Sequence, residues 1–106
     1  MYVTVHNYTI GSGSQLDIGR EAQAFVSEVA SIEGFRAYYM IDAGDSMLAS
    51  VAVFDTREGI DDCDRRAARF VEQKLAGFQL SDVEVREGQV LASQMSFAAE
   101  AAPAGT

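Results

Sequence analysis

The sequence has a single cysteine, Cys63, a single histidine, His6, one proline and no tryptophan in 106 residues. One cysteine excludes an intrachain disulfide, and one histidine excludes a multi-histidine metal site built from this chain alone. Positive charge is scarce too. Eight Lys and Arg face sixteen Asp and Glu, a formal net charge of −8. A field of that sign repels phosphate backbones and anionic membrane surfaces, so neither nucleic acid nor a membrane is an expected partner. No apolar run approaches the ~18 residues of a membrane-spanning helix. The opening MYVTVHNYTI has no basic segment followed by an apolar stretch, so the expected location is cytoplasmic. What is present is an ordinary globular composition, 48% hydrophobic and 23% charged, with the length of one domain.

From Tyr2 to Ile10 the residues are β-branched and aromatic with no Gly or Pro, which predicts a strand. Gly11-Ser12-Gly13-Ser14 breaks it as a loop, and either Ser14 or Asp17 caps a helix whose stripe is Ile18, Ala22, Phe25, Val26, Val29 and Ala30. Gly34 ends that helix. Phe35–Ala43 and Met47–Asp55 flank a short Gly44-Asp45 turn and read as an antiparallel hairpin. Thr56 then caps a second helix with acids in its first turns and a stripe of Ile60, Cys63, Ala67, Phe70, Val71 and Leu75. Gly77 stops it, and Val83–Ser93 is a last strand expected to bend at Gly88. Residues 1–95 thus form one domain, and the Ala-rich 96–106 with the only proline is an expected mobile tail.

The order strand, helix, strand, strand, helix, strand is the split βαβ arrangement of ferredoxin-like α+β folds. Right-handed crossovers place both helices on one face of a four-stranded antiparallel sheet and leave the other face open. Alternation assigns Val3, Val5, Phe35, Ala37, Ile41, Ala49, Val51 and Val53 to the helix side. It leaves His6, Tyr8, Arg36, Tyr38, Met40, Ser50 and Phe54 on the open side, too apolar to stand in water and too polar for a plain core. A second copy of the chain is the expected cover, giving a homodimeric α/β barrel with a mixed cavity between sheet and helices.

The residues with chemistry admit plainer readings as well. His6 can act as a general base or as a hydrogen-bonded structural residue. Tyr8, Tyr38 and Tyr39 can line a pocket or fill an interface. Arg36 can clamp a substrate oxygen or pair with Asp42 or an acid of a second subunit. Asp61, Asp62 and Asp64 lack the glycine-centred loop of a calcium site and sit where helix N-terminal acids belong, so they read as a solvated face and no metal is expected. Cys63 falls in the helix stripe as a small buried hydrophobe, and no Lys-Ser/Thr follows the Gly-Ser loop to make a phosphate cradle.

Three stretches carry a family resemblance: Glu33-Gly34-Phe35-Arg36-Ala37-Tyr38-Tyr39, Asp42-Ala43-Gly44-Asp45 and Ser50-Val51-Ala52-Val53-Phe54-Asp55. With the element order they resemble the dimeric α/β-barrel superfamily, in particular its antibiotic-biosynthesis-monooxygenase-like group, over roughly residues 1–95. Some members of that group oxidise aromatic, polyketide-like substrates without a cofactor, some degrade haem, and many have no assigned activity. Asn7 lies on the first strand, where haem-degrading relatives carry a catalytic asparagine. Those relatives add a histidine on the second helix and a nearby tryptophan, which this chain lacks, so no haem or other cofactor is expected. The expectation is a homodimer that binds a small apolar or aromatic molecule. The alternatives are a cofactor-independent monooxygenase and a purely structural or regulatory dimerisation module. His6, Tyr38 and Arg36 are the catalytic candidates, and Tyr8, Met40, Ser50 and Phe54 the ligand-binding ones.

Overall fold

In the computed structural model, which describes residues 1–95, the β-rich start forms β1 (Tyr2–Thr9). Two short helices follow, α1 (Gln15–Glu21) and α2 (Gln23–Ala30), then the hairpin β2 (Phe35–Gly44) and β3 (Met47–Phe54). The long α3 (Arg57–Lys74) leads through a 3₁₀ turn (Ala76–Phe78) to β4 (Ser81–Gln89). The strands are ordered β2-β3-β1-β4 with every pair antiparallel, the expected ferredoxin-like arrangement. No helix among the described residues is long and apolar enough to cross a membrane. The tail expected over 96–106 lies outside the described residues.

The helix caps follow from the side chains. Ser14 Oγ accepts the Asp17 N–H at 3.2 Å, and Thr56 Oγ1 accepts the Gly59 N–H at 3.1 Å. The stripe read as one helix is two, interrupted at Ala22. The halves serve different clusters: Ile18 packs with Tyr8, Ile10, Leu48 and Leu75, whereas Phe25 and Val29 pack with Ala52, Phe54, Ile60 and Cys63. A break between them lets each half aim its apolar residues separately. The last strand also differs from expectation, starting at Ser81 and running straight through Gly88 opposite Val3. Its irregularity is at Asp82, where φ is +50° and the chain passes three residues while β1 passes two. The Gly11–Ser14 loop is tied to the 3₁₀ turn. Gly11 and Ser12 N–H both donate to Phe78 O at 3.0 Å, and a Cβ on Gly13 would lie 2.7 Å from the Phe78 ring.

The two sheet faces are exchanged relative to the alternation argument. Thr4, His6, Tyr8, Leu48, Ser50, Ala52 and Phe54 are buried under the helices, with Tyr38 and Met40 packed against the same clusters. Val3, Val5, Ala37, Ile41, Ala49, Val51 and Val53 lie on the open face with Asn7. Alternation fixes which residues share a face but not which face the helices cover. What decides it is that Thr4 and His6 find a hydrogen-bond acceptor on α3, so burying them leaves nothing unsatisfied. Phe35 remains on the helix side because of a bulge. Phe35 pairs with Phe54 and Ala37 with Val53, so Arg36 is an extra residue that shifts the phase of β2 by one. Arg36 is consequently exposed and ion-paired with Asp55, not with Asp42.

Candidate functional site

The exchange of faces brings the polar residues of β1, β2 and β3 into the space between sheet and helices. His6, Tyr8, Tyr38, Met40 and Ser50 line one cavity there, closed on the helix side by Phe25, Cys63, Phe70 and Val71. In the aromatic wall Phe25 is stacked on Phe70 at 5.0 Å and edge-on to Tyr38 at 5.8 Å. The enclosed space is about 20 Å³, enough for about one water molecule. Beside it, between α1–α2 and the end of β2, runs an open groove of about 680 Å³ that shares Tyr38, Met40 and Leu48 with the cavity. On the far side, between α3 and β4, a cleft of about 280 Å³ shares His6, Tyr8 and Val71 with it and is walled by Val83 and Val85.

At the centre of this arrangement is His6, only 6% exposed. Its Nε2 lies 2.8 Å from Asp64 Oδ1 on α3, and its Nδ1 lies 3.0 Å from the Tyr8 hydroxyl. Thr4 Oγ1 donates to the same Asp64 oxygen at 2.9 Å. Burial pushes the Asp64 carboxyl up, but hydrogen bonds from His6, Glu87 and Thr4 together with the His6 charge outweigh it and hold the group below the usual carboxylate range. Glu87 on β4 moves the other way, raised first by its hydrogen bond with Asp64, then by partial desolvation and the charges of Asp64 and Asp61. Burial pushes Tyr8 up to about 12, assisted by Tyr38, Asp64 and Cys63. Tyr38 also rises to about 12 through burial, with the Ser50 hydroxyl acting against it. Both phenols are therefore neutral donors near pH 7. The Cys63 thiol, pushed up to about 12 by burial and by Asp64 and Asp62, is protonated and not a nucleophile.

Five of the seven residues singled out from the sequence, His6, Tyr8, Tyr38, Met40 and Ser50, thus meet around one cavity. Arg36 does not reach it, because the bulge turns it outward to Asp55. Phe54 is fully buried beneath α3, where a Cβ on Gly59 would lie 2.7 Å from its ring, and forms core, not cavity wall. Asp64 is the residue sequence reasoning missed. The signal was present: Ile60, Asp64, Ala67 and Val71 follow helical spacing, which puts Asp64 in the buried stripe between two apolar neighbours. Asp62, by contrast, holds Arg66 through two contacts at 3.0 and 3.2 Å, and Arg66 reaches Glu28 on α2. Among the described residues no group of acids, His or Cys is arranged to hold a metal ion.

No protein-family model matches the chain, and no curated protein sequence matches it. Solved structures do. NE2512, a protein of unknown function from Nitrosomonas europaea, superposes with a TM-score of 0.71 at 13% identity, over 90% of this chain and 93% of that one. A dimeric ferredoxin-like protein from an uncultured marine organism gives 0.67 at 13% identity, over 90% and 98%. SnoaB, a cofactor-independent oxygenase from Streptomyces nogalater, gives 0.66 at 15% identity, over 87% and 94%. At such identities the likeness is one of architecture, and the chain has the ferredoxin-like fold found in SnoaB and in antibiotic-biosynthesis-monooxygenase-like proteins.

Proposed function

We propose that the protein binds a small apolar or aromatic molecule between its sheet and its helices, with His6 at the polar end of the site. The observation that carries this reading is a buried imidazole on the wall of a mostly apolar cavity, hydrogen-bonded at both ring nitrogens. The enclosed space is water-sized, so a ligand enters by displacing the Met40 side chain, which lines both the cavity and the groove beside α1 and α2. Methionine suits that role, being unbranched and polarizable. Two copies of the chain pair through the open face, where Tyr39 is 59% and Ile41 42% exposed beside Val51 and Val53. The fold shared with a dimeric ferredoxin-like protein supports this pairing.

The His6–Asp64 pair favours a second reading, cofactor-independent oxygenation of an aromatic substrate. A base held by a carboxylate can draw a proton from an activated aromatic, leaving a carbanion or enolate for molecular oxygen. Tyr38, a neutral phenol, supplies the donor for the developing oxyanion, a role Arg36 cannot fill from its pairing with Asp55. Fluorescence titration with naphthalene tests the site, and oxygen uptake with anthrone-like phenols tests the chemistry. Saturable naphthalene binding is expected. Uptake above buffer that falls at least tenfold in His6→Ala and Tyr38→Phe supports the oxygenase. Uptake at the buffer rate across the phenols eliminates it and leaves the binding protein.

A further inference from the structure

We propose that Asp64 is a positioning residue that fixes the ring of His6, so that Tyr8, His6 and Asp64 act together as a proton relay which deprotonates a hydroxyl-bearing ligand in the cavity. The inference rests on the cavity being a binding site and adds the direction in which protons move. An ionised carboxylate only accepts hydrogen bonds, so at Asp64 Oδ1, 2.8 Å away, the donor must be Nε2–H of His6. In the neutral ring the lone pair is then on Nδ1, and the contact at 3.0 Å is one in which the Tyr8 hydroxyl donates. The oxygen of Tyr8 keeps acceptor capacity, and Tyr8 lines the cavity, so the group it would receive from a ligand there is a donor. A neutral phenol or enol satisfies it, and an ether or a carboxylate does not.

The transfer balances within these groups. The ligand O–H bond breaks and its proton goes to the Tyr8 oxygen, while the Tyr8 proton moves to Nδ1 of His6. The products are a ligand oxyanion and an imidazolium, and the second is held by the Asp64 carboxylate. The charged and titratable groups around the ring are Tyr8 on its own strand, Cys63 and Asp64 on α3, Tyr38 on β2, and Glu87 on β4 behind Asp64. Of these only Asp64 offers the ring a charge of opposite sign at hydrogen-bond distance. Asp64 also faces the cleft between α3 and β4, so the relay crosses from the closed cavity to a side open to solvent.

The sole histidine makes the test unambiguous, because every imidazole signal belongs to His6. In ¹⁵N spectra the neutral ring of the wild type is expected as the Nε2–H tautomer. Asp64→Asn shifts it toward a tautomeric mixture, and Asp64→Glu restores it. With 4-nitrophenol as the probe, the bound dye ionises about one pH unit lower in the wild type than in Asp64→Asn or Tyr8→Phe, read from nitrophenolate absorbance. Naphthalene, which has no hydroxyl, reports occupancy of the cavity in each protein independently of the relay. Naphthalene binding with identical dye titrations in wild type and variants overturns the relay alone. Failure of both probes to bind the wild type overturns the binding site itself.

Discussion

Met40→Ala is the perturbation that most directly asks whether the cavity opens. Met40 is half-buried on β2 opposite Ser50 and lines both the 20 Å³ cavity and the 680 Å³ groove. Truncation removes three heavy atoms beyond Cβ. At about 0.8 kcal/mol per buried methylene-sized group, complete burial would be worth roughly 2.4 kcal/mol, and half burial about 1.2 kcal/mol. If this contact holds the closed conformer together, its removal raises the open fraction about eightfold, since ~1.4 kcal/mol is a factor of ten. The apparent Kd for a ligand that needs the open form falls by the same factor. Urea unfolding is expected to show a loss of about 1 kcal/mol, and naphthalene titration a severalfold tighter complex. Met40→Leu, which nearly conserves volume, leaves both close to wild type. A variant destabilised as expected but binding naphthalene no better than wild type refutes the idea that Met40 bars the entrance.

Three further outcomes follow from the same geometry. Gly59→Ala adds a Cβ 2.7 Å from the Phe54 ring, so an overpacking cost of about 1–3 kcal/mol exceeds the ~1 kcal/mol gained in helix propensity, and the urea midpoint falls. Ile41→Lys places a charge on the open sheet face and is expected to shift light-scattering mass from two chains to one without changing far-ultraviolet circular dichroism. The pH dependence of stability has two opposed parts. Glu87, raised above its ordinary 4.5, opposes folding while ionised, so stability increases as pH falls through its folded value. Asp64, lowered below its ordinary 3.8, contributes stability that is complete above that value and is lost as pH falls through its folded one. Thermal unfolding between pH 7 and pH 3 is therefore expected to peak at mildly acidic pH. Glu87→Gln flattens the rise on the neutral side while leaving the acid loss, and because Glu87 is exposed that rise shrinks with added salt.

The element order was legible because its signals are local. Ser14 and Thr56 bind the N–H groups three residues on, and an apolar stripe marks the long α3. The orientation of the sheet was not. In β1 and β3 both alternating sets can be buried: one offers Val3, Val5, Val51 and Val53, the other Tyr8, Leu48, Ala52 and Phe54. The decision came from a contact 58 residues apart in sequence, His6 to Asp64, which no single-strand pattern contains. The candidate residues nevertheless met, because strand alternation had grouped His6, Tyr8, Tyr38, Met40 and Ser50 correctly even though it put them on the wrong side. Arg36 was misplaced for another reason. A bulge adds a residue without any compositional mark, and Arg36 looks in sequence like a regular member of its strand.

That extra residue makes β2 a strand whose count matters more than its composition. Phe35 and Tyr38 are three apart, an odd separation, yet both pack toward the helices. Removing position 36 would bring them to an even spacing and let an unbroken ladder keep the same two aromatic rings inward. Removing a residue beyond the irregular step, between 38 and 41, would instead rotate one part of the strand outward relative to the rest. Superposing distant relatives by counting back from Asp42, on the near side of a second irregular step at Asp42–Gly44, will therefore match Tyr38 correctly and misplace Phe35 by one wherever the partner strand is regular.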